Sequence, residues 1–179
     1  MRRASEPGVD LTAVSIFLPV LASLEAASVR YVVVGGVAVV LHGHPRLTAD
    51  LDLIIELSPA AALAAMRALS RLGLRPRAPV QIEDFANENL RKTWIRDKAM
   101  RVFSLWSPED PLRVVDIFAD HPIPFEDLYR RATITAMGSQ TIRVASIEDL
   151  IALKRLADRP KDRSDIEALS EIARMKRQP

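Results

Sequence analysis

The sequence predicts an α/β (α+β) fold, a mixed sheet flanked by helices with a helical C-terminal end. Three observations lead there. Short β-branched runs alternate with Ala/Leu-rich helical periodicity through the first part of the chain. Two apolar runs then flank a Pro-rich turn at Ser107 to Pro111. From Ser146 onward the pattern is helical.

The elements follow in order. Val14, Phe17, Leu18, Leu21 and Leu24 recur at helical spacing, which predicts an amphipathic helix over 11–27. Pro19 lies inside it and is expected to kink it or shift its start. Tyr31 to Val34 is a β-branched strand running into Gly35 and Gly36. A short apolar helix is expected over 37–41, stopped by His42 to Pro45. Leu51 to Glu56 reads as a second strand. Ser58, Pro59 and Gly73 are start and stop signals around a helix over 59–72. Residues 74–92 read as irregular, with a short helix over 83–89. Strands are expected at 93–96, 100–106 and 113–119. A short helix over 125–130 precedes a hairpin, 133–137 with 141–144, turning at Gly138 and Ser139. Ser146 caps a helix over 147–157, with Asp149 three residues on. Arg159 and Pro160 break it before a last helix over 161–175.

A chain of 179 residues suits one domain. The expected organisation is a flexible segment 1–10, a core 11–145, and C-terminal helices 146–179 packed on the same domain. Hydrophobic residues at 49% and charged residues at 27% fit a chain with a true core. No apolar stretch is long enough for a membrane span and no secretory pattern opens the chain, so a cytoplasmic protein is expected, with no membrane partner. Zero cysteines exclude disulfides and thiolate metal sites. The three histidines have no zinc-type spacing. There is no Walker loop and no nucleophilic triad.

The chemistry concentrates in three places. Asp50 and Asp52 alternate along a strand, so both side chains share one face while Leu51 and Leu53 share the other. Two neighbouring carboxylates on a buried strand are costly without a compensating charge, and a divalent cation supplies one. Asp116 is a lone carboxylate in the apolar run Val114 to Phe118. If the two strands are neighbours, three carboxylates converge, enough for two metal ions. Gly35 and Gly36 join a strand to a helix start, where bare backbone can approach a phosphate. Each feature alone also has an ordinary structural reading: a tight turn, a solvated face, a buried ion pair with Arg46 or Arg113.

Their order is more specific. Gly35, Gly36, Val37 and Ala38, then His42 and Gly43, Arg46, Thr48, and Asp50-Leu51-Asp52 resemble the signature of the minimal nucleotidyltransferase fold in the DNA polymerase β-like superfamily. The segment looks similar to the branch of AbiEii-like type IV toxins. That resemblance implies that Asp50, Asp52 and Asp116 bind Mg²⁺ or Mn²⁺ (two ions) and are catalytic, and that Gly35 and Gly36 contact the triphosphate of an NTP substrate. Arg46 and Thr48 stand just before the carboxylates and are nucleotide-binding candidates; Arg46 can instead balance the acidic cluster. Ser146 to Leu150, Lys154, Asp162 and Asp165 are similar to later motifs of the branch, which implies that Lys154 touches the triphosphate. A solvated, charge-rich helix is the equal alternative for Lys154 and the expectation for Asp162 and Asp165. His42 is expected at a turn or cap, Asp120 in solvent at a strand end, and Trp94 and Trp106 in the core or at an edge.

The expected reaction moves a nucleoside monophosphate from an NTP to an acceptor hydroxyl on RNA or tRNA, protein or a small molecule. The segment from Lys154 to Arg177 holds eight Lys/Arg against five Asp/Glu, a lean toward a phosphate-rich partner. A toxin role with an antitoxin partner is implied by the resemblance. The alternative is a catalytically quiet domain of the same fold that binds nucleotide or a partner.

Overall fold

The computed structural model describes residues 12–137 and 140–178. The segment 1–10, the first residue of the expected opening helix, and the Gly138-Ser139 turn lie outside the described residues.

Pro19 decides how the chain begins. Residues Thr12–Phe17 form a 3₁₀ segment, and the α-helix starts only at α1 (Leu18–Ala26), with Pro19 in its first turn. A proline there costs no hydrogen bond, because first-turn N–H groups have no intrahelical acceptor. β1 (Tyr31–Val34) is buried throughout. It runs directly into α2 (Gly35–Leu41), so the helix begins two residues before the expected Val37 and takes both glycines into its first turn. β2 (Asp50–Ile55) and α3 (Pro59–Arg71) follow, the latter capped by Ser58, whose Oγ accepts from the Ala61 N–H.

The next segment departs from expectation. Residues 93–96, expected as a strand, lie inside α4 (Glu88–Lys98). Thr93, Trp94 and Ile95 have strand-like side chains, but capping and packing override that preference. Asn87 Oδ1 accepts from the N–H groups of Asn89 and Leu90 at 3.0 and 3.2 Å. Trp94 is buried and stacks on Phe103, ring centroids 5.5 Å apart. Ala99, left-handed at φ 50°, ends the helix. Before α4 come a two-residue edge strand, β3 (Arg75–Pro76), and a 3₁₀ turn at Ile82–Ala86.

β4 (Val102–Trp106) and β5 (Val114–Phe118) fall where expected. α5 (Phe125–Arg131), β6 (Thr133–Met137), β7 (Gln140–Val144), α6 (Ile147–Ala157) and α7 (Pro160–Lys176) complete the chain. Pro160, expected as a breaker, starts α7, which again suits a residue without an N–H.

The seven strands form one mixed sheet in the order β3-β4-β5-β2-β1-β7-β6. β1 pairs antiparallel with β2 and parallel with β7, and β2 pairs parallel with β5. Leu51, Leu53, Val115, Ile117, Phe103 and Leu105 are fully or almost fully buried on one sheet face. Phe85 and Trp94 cover Phe103 from that side, which places α4 over this face. Burying each such side chain contributes about 1.5–3 kcal/mol, so strand register is strongly fixed here. The alternate residues, Asp50, Asp52, Val114, Asp116, Phe118 and Val102, are half-buried on the opposite face. That half-open face carries the site. No helix among the described residues is long and apolar enough to cross a membrane.

Candidate active site

Strand register gathers the carboxylates. Val34 stands opposite Asp52 across β1 and β2. Asp52 stands beside Asp116 across β2 and β5, and Asp116 stands opposite Ser104 across β5 and β4. Asp50 lies two residues along β2 on the same face. Each of Asp50, Asp52 and Asp116 offers a carboxylate oxygen within 4.8 Å of the other two.

Electrostatics show a group of anions short of a counter-charge. Among the described residues no Lys, Arg or His forms an ion pair with any of the three. Arg113, a structural candidate for that job, pairs with Asp110 at 3.3 Å, and Arg46 pairs with Asp165. Asp116 Oδ1 is buried without a hydrogen-bond partner. Burial, reinforced by the charges of Asp50 and Asp116, lifts the Asp52 carboxyl to about 7. The Gly36 N–H and the Arg159 charge work against that rise. Burial also raises Asp116; Asp50 adds to the rise, while Ser104, Arg77 and Lys161 oppose it. Convergent oxygen donors, mutual repulsion and an orphaned buried oxygen fit a hard divalent cation.

The glycines make this arrangement possible. Gly35 has φ +66°, and a Cβ there would fall 1.8 Å from Asp52 Oδ2. A Cβ on Gly36 would fall 2.4 Å from Thr48 Oγ1. Bare backbone is therefore required for the α2 start to lie against the Asp52 carboxylate. The Gly36 N–H is turned to Asp52. Thr48 does not line the cavity beside the carboxylates. Its hydroxyl donates to the Asp50 carbonyl at 3.3 Å, holding the approach to β2.

That cavity has a volume of about 640 Å³. Gly35, Gly36, Arg46, Asp50, Asp52 and Asp116 line one part of it; Leu150, Leu153, Lys154, Arg159 and Lys161 from the α6–α7 region line another. Phe118 and Pro122 add apolar wall.

At the α6–α7 joint, Lys154 lies between two carboxylates. Lys154 is 5% exposed, and its ammonium donates to Asp165 Oδ2 at 2.6 Å and reaches Asp162 Oδ1 at 3.5 Å. Two carboxylates thus hold the ammonium at the cavity wall. Asp162 and Asp165, expected to be solvated, are 1% and 3% exposed. They escape the cost of burial because Arg159, Lys154 and Arg46 pair with them. Arg46 lines the cavity and bonds to Asp165, so it balances a different acidic pair from the one beside it in sequence.

His42 is the C-terminal cap residue of α2, and its Nε2 lies 2.8 Å from the Ala145 carbonyl oxygen. Asp120, expected in solvent, is half-buried and 3.8 Å from Arg101. Trp94 belongs to the core and Trp106 sits half-buried in β4. Sequence reasoning missed Arg159. Its position just ahead of Pro160 and Asp162 marks a helix start, and only the fold shows that this start faces the cavity.

Residues 17–174 match the family described as nucleotidyl transferase AbiEii toxin, type IV TA system. No match was found among curated proteins. Among solved structures, the lincosamide antibiotic adenylyltransferase LnuA, lincomycin-bound, superposes with TM-score 0.59 at 18% identity, covering 88% of this chain and 96% of that one. ANT(2")-Ia in complex with adenylyl-2"-tobramycin gives TM-score 0.58 at 15% identity, covering 88% and 87%. An antigenic nucleotidyltransferase-like protein from Paracoccidioides brasiliensis gives 0.50 at 17% identity, covering 92% and 77%. At such identities these neighbours establish the fold. The family match spans most of the sequence, and on it the chain is a nucleotidyltransferase belonging to the AbiEii toxin family of type IV toxin–antitoxin systems.

Proposed function

We propose that the chain moves a nucleoside monophosphate from an NTP to an acceptor hydroxyl in a divalent-metal-dependent reaction, with Asp50, Asp52 and Asp116 as metal ligands. The observation that carries this reading is the convergence of three carboxylates that have no ion-pair partner among the described residues. In the reaction the acceptor oxygen bonds to the α-phosphorus, the bond from that phosphorus to the bridging oxygen breaks, pyrophosphate leaves, and the hydroxyl proton is lost. When bound, Mg²⁺ or Mn²⁺ neutralises developing charge and favours the ionised acceptor oxygen. The protein's part is to position and to exclude water. Gly35 and Gly36 keep backbone against the carboxylates without side-chain bulk. Arg46 brings a guanidinium to the cavity edge. Asp116, in mid-strand beside Asp52, is assigned a part in the reacting step as well as in binding. The working unit joins the 11–145 core to the C-terminal helices, because the cavity draws its lining from both.

A toxin role within a type IV pair, with a cognate antitoxin, is the biological setting that the family description supports. The acceptor class separates an RNA or protein target from a small hydroxylated molecule of the kind named for the antibiotic-modifying neighbours. The test supplies α-labelled NTPs, each in turn, to a cell extract with Mg²⁺ or Mn²⁺. Label transferred by the wild type but not by Asp50→Ala supports the reading, and its sensitivity to RNase or protease identifies the acceptor. Equal labelling by the variant removes the carboxylates from the reaction. NTP binding without transfer under any of these conditions supports a quiet domain instead.

A further inference from the structure

A chain of alternating charges runs along one wall of the cavity. Arg46 bonds to Asp165, Asp165 to Lys154, Lys154 to Asp162, and Asp162 to Arg159. The middle three are buried, 5% exposed or less. The two ends are arginines that reach the cavity, their side chains 21% and 55% exposed. Arg159 forks onto Asp162, Nε to Oδ2 at 2.8 Å and Nη2 to Oδ1 at 3.2 Å. The Arg159 backbone N–H also donates to Asp162 Oδ2 at 3.1 Å. A guanidinium has five N–H donors, so this fork fixes its plane and leaves donors free. Three cations against two anions leave one net positive charge on the chain. Lys161, one helix position past Pro160, also lines the cavity and has no ion-pair partner among the described residues.

We propose that Arg159 is the cation that binds the polyphosphate of the NTP, held in place by Asp162 and, through it, by Lys154. Lys154 is then a positioning residue that lets two carboxylates stay buried, and the arginine at the end of the relay makes the contact. The choice follows from what each side chain has left to give. Lys154 is enclosed with both its partners, whereas Arg159 is half-exposed, faces the same cavity as Gly35, Gly36, Asp50 and Asp52, and carries its charge toward those carboxylates. A planar, fixed guanidinium suits bidentate contact with phosphate oxygens.

The inference rests on the nucleotidyl-transfer reading, and one experiment separates the two. Dissociation constants for ATP, GTP, CTP and UTP are measured with Mg²⁺ on the full chain, wild type against Arg159→Ala and Arg159→Lys, beside thermal unfolding of each. The wild type is expected to bind at least one NTP and to release it to inorganic tripolyphosphate. Arg159→Ala is expected to weaken binding about tenfold or more, and Arg159→Lys to recover part of the loss while keeping a charge against Asp162. Should the alanine variant unfold, Arg159→Lys carries the comparison alone, with an intermediate affinity expected and an unchanged one overturning the proposal. Wild-type affinity in a folded Arg159→Ala protein would also overturn it and leave Arg159 as a cap for Asp162. A wild type that binds no NTP would instead overturn the nucleotidyl-transfer reading beneath it.

Discussion

At the scale of single residues, the site is built on two glycines and a crowded carboxylate. Gly35 combines a left-handed φ with a Cβ position occupied by the Asp52 carboxylate. Gly35→Ala should therefore push Asp52 out of place and abolish transfer, besides costing about 1 kcal/mol or more in backbone strain. Gly43 has φ +108° but open space around it. Gly43→Ala should show the strain alone, a lowered melting temperature with transfer retained. Equal activity in the two variants would remove the steric argument. Asp52 supplies a pH prediction. Its folded pKa, about 7, stands above the ordinary 3.8, so the folded metal-free protein binds a proton more tightly than the unfolded chain between those values. The contribution of Asp52 to stability is then full below about pH 4 and lost as pH rises through about 7. Thermal unfolding in chelator should show the fall, and saturating Mg²⁺ should flatten it. A slope of opposite sign in chelator would contradict the carboxylate crowding.

At the scale of elements, the parts that local pattern controls were legible in the sequence, and the parts that partners control were not. The alternation Asp50, Leu51, Asp52, Leu53 predicted the two-faced β2, and burial of Leu51 and Leu53 bears it out. Ser58 with Pro59, and Ser146 with Asp149, announced helix starts that form with the expected side-chain caps. Residues 93–96 misled because Thr93, Trp94 and Ile95 favour strands, while the decisive contact, Trp94 on Phe103, is made with the next element, β4. Asp162 and Asp165 looked solvated for a similar reason: one of their partners, Arg46, is more than a hundred residues away. The α6–α7 joint gives the element-scale prediction. Lys154→Met leaves two buried aspartates with one arginine each, and breaking a buried pair in this way typically costs about 3–5 kcal/mol. A large fall in melting temperature is expected. Arg174→Ala, which removes an exposed pair with Glu171, should change stability by less than about 1 kcal/mol. Comparable small effects from both would mean the buried network is not what joins the helices.

At the scale of the whole molecule, the sheet order matters most. β2 and β5 are separated in sequence by α3, β3, α4 and β4, yet they lie side by side and parallel. That adjacency puts Asp116 next to Asp52, and no local pattern could state it; the sequence showed only that Asp116 is an isolated charge in an apolar run. The covered sheet face locks the register through Leu53 beside Ile117, and the half-open face then presents its three carboxylates to the cavity. Core and metal-type donor set are thus two sides of the same strands. The most direct test of this account is calorimetric titration of Mn²⁺ into the wild type and into Asp116→Asn, at a pH above 7 where Asp52 is ionised. The account predicts saturable binding by the wild type and binding weakened about tenfold or more in a variant that stays folded. Equal Mn²⁺ affinity in the two proteins would contradict it, because the three carboxylates would then not act as one site.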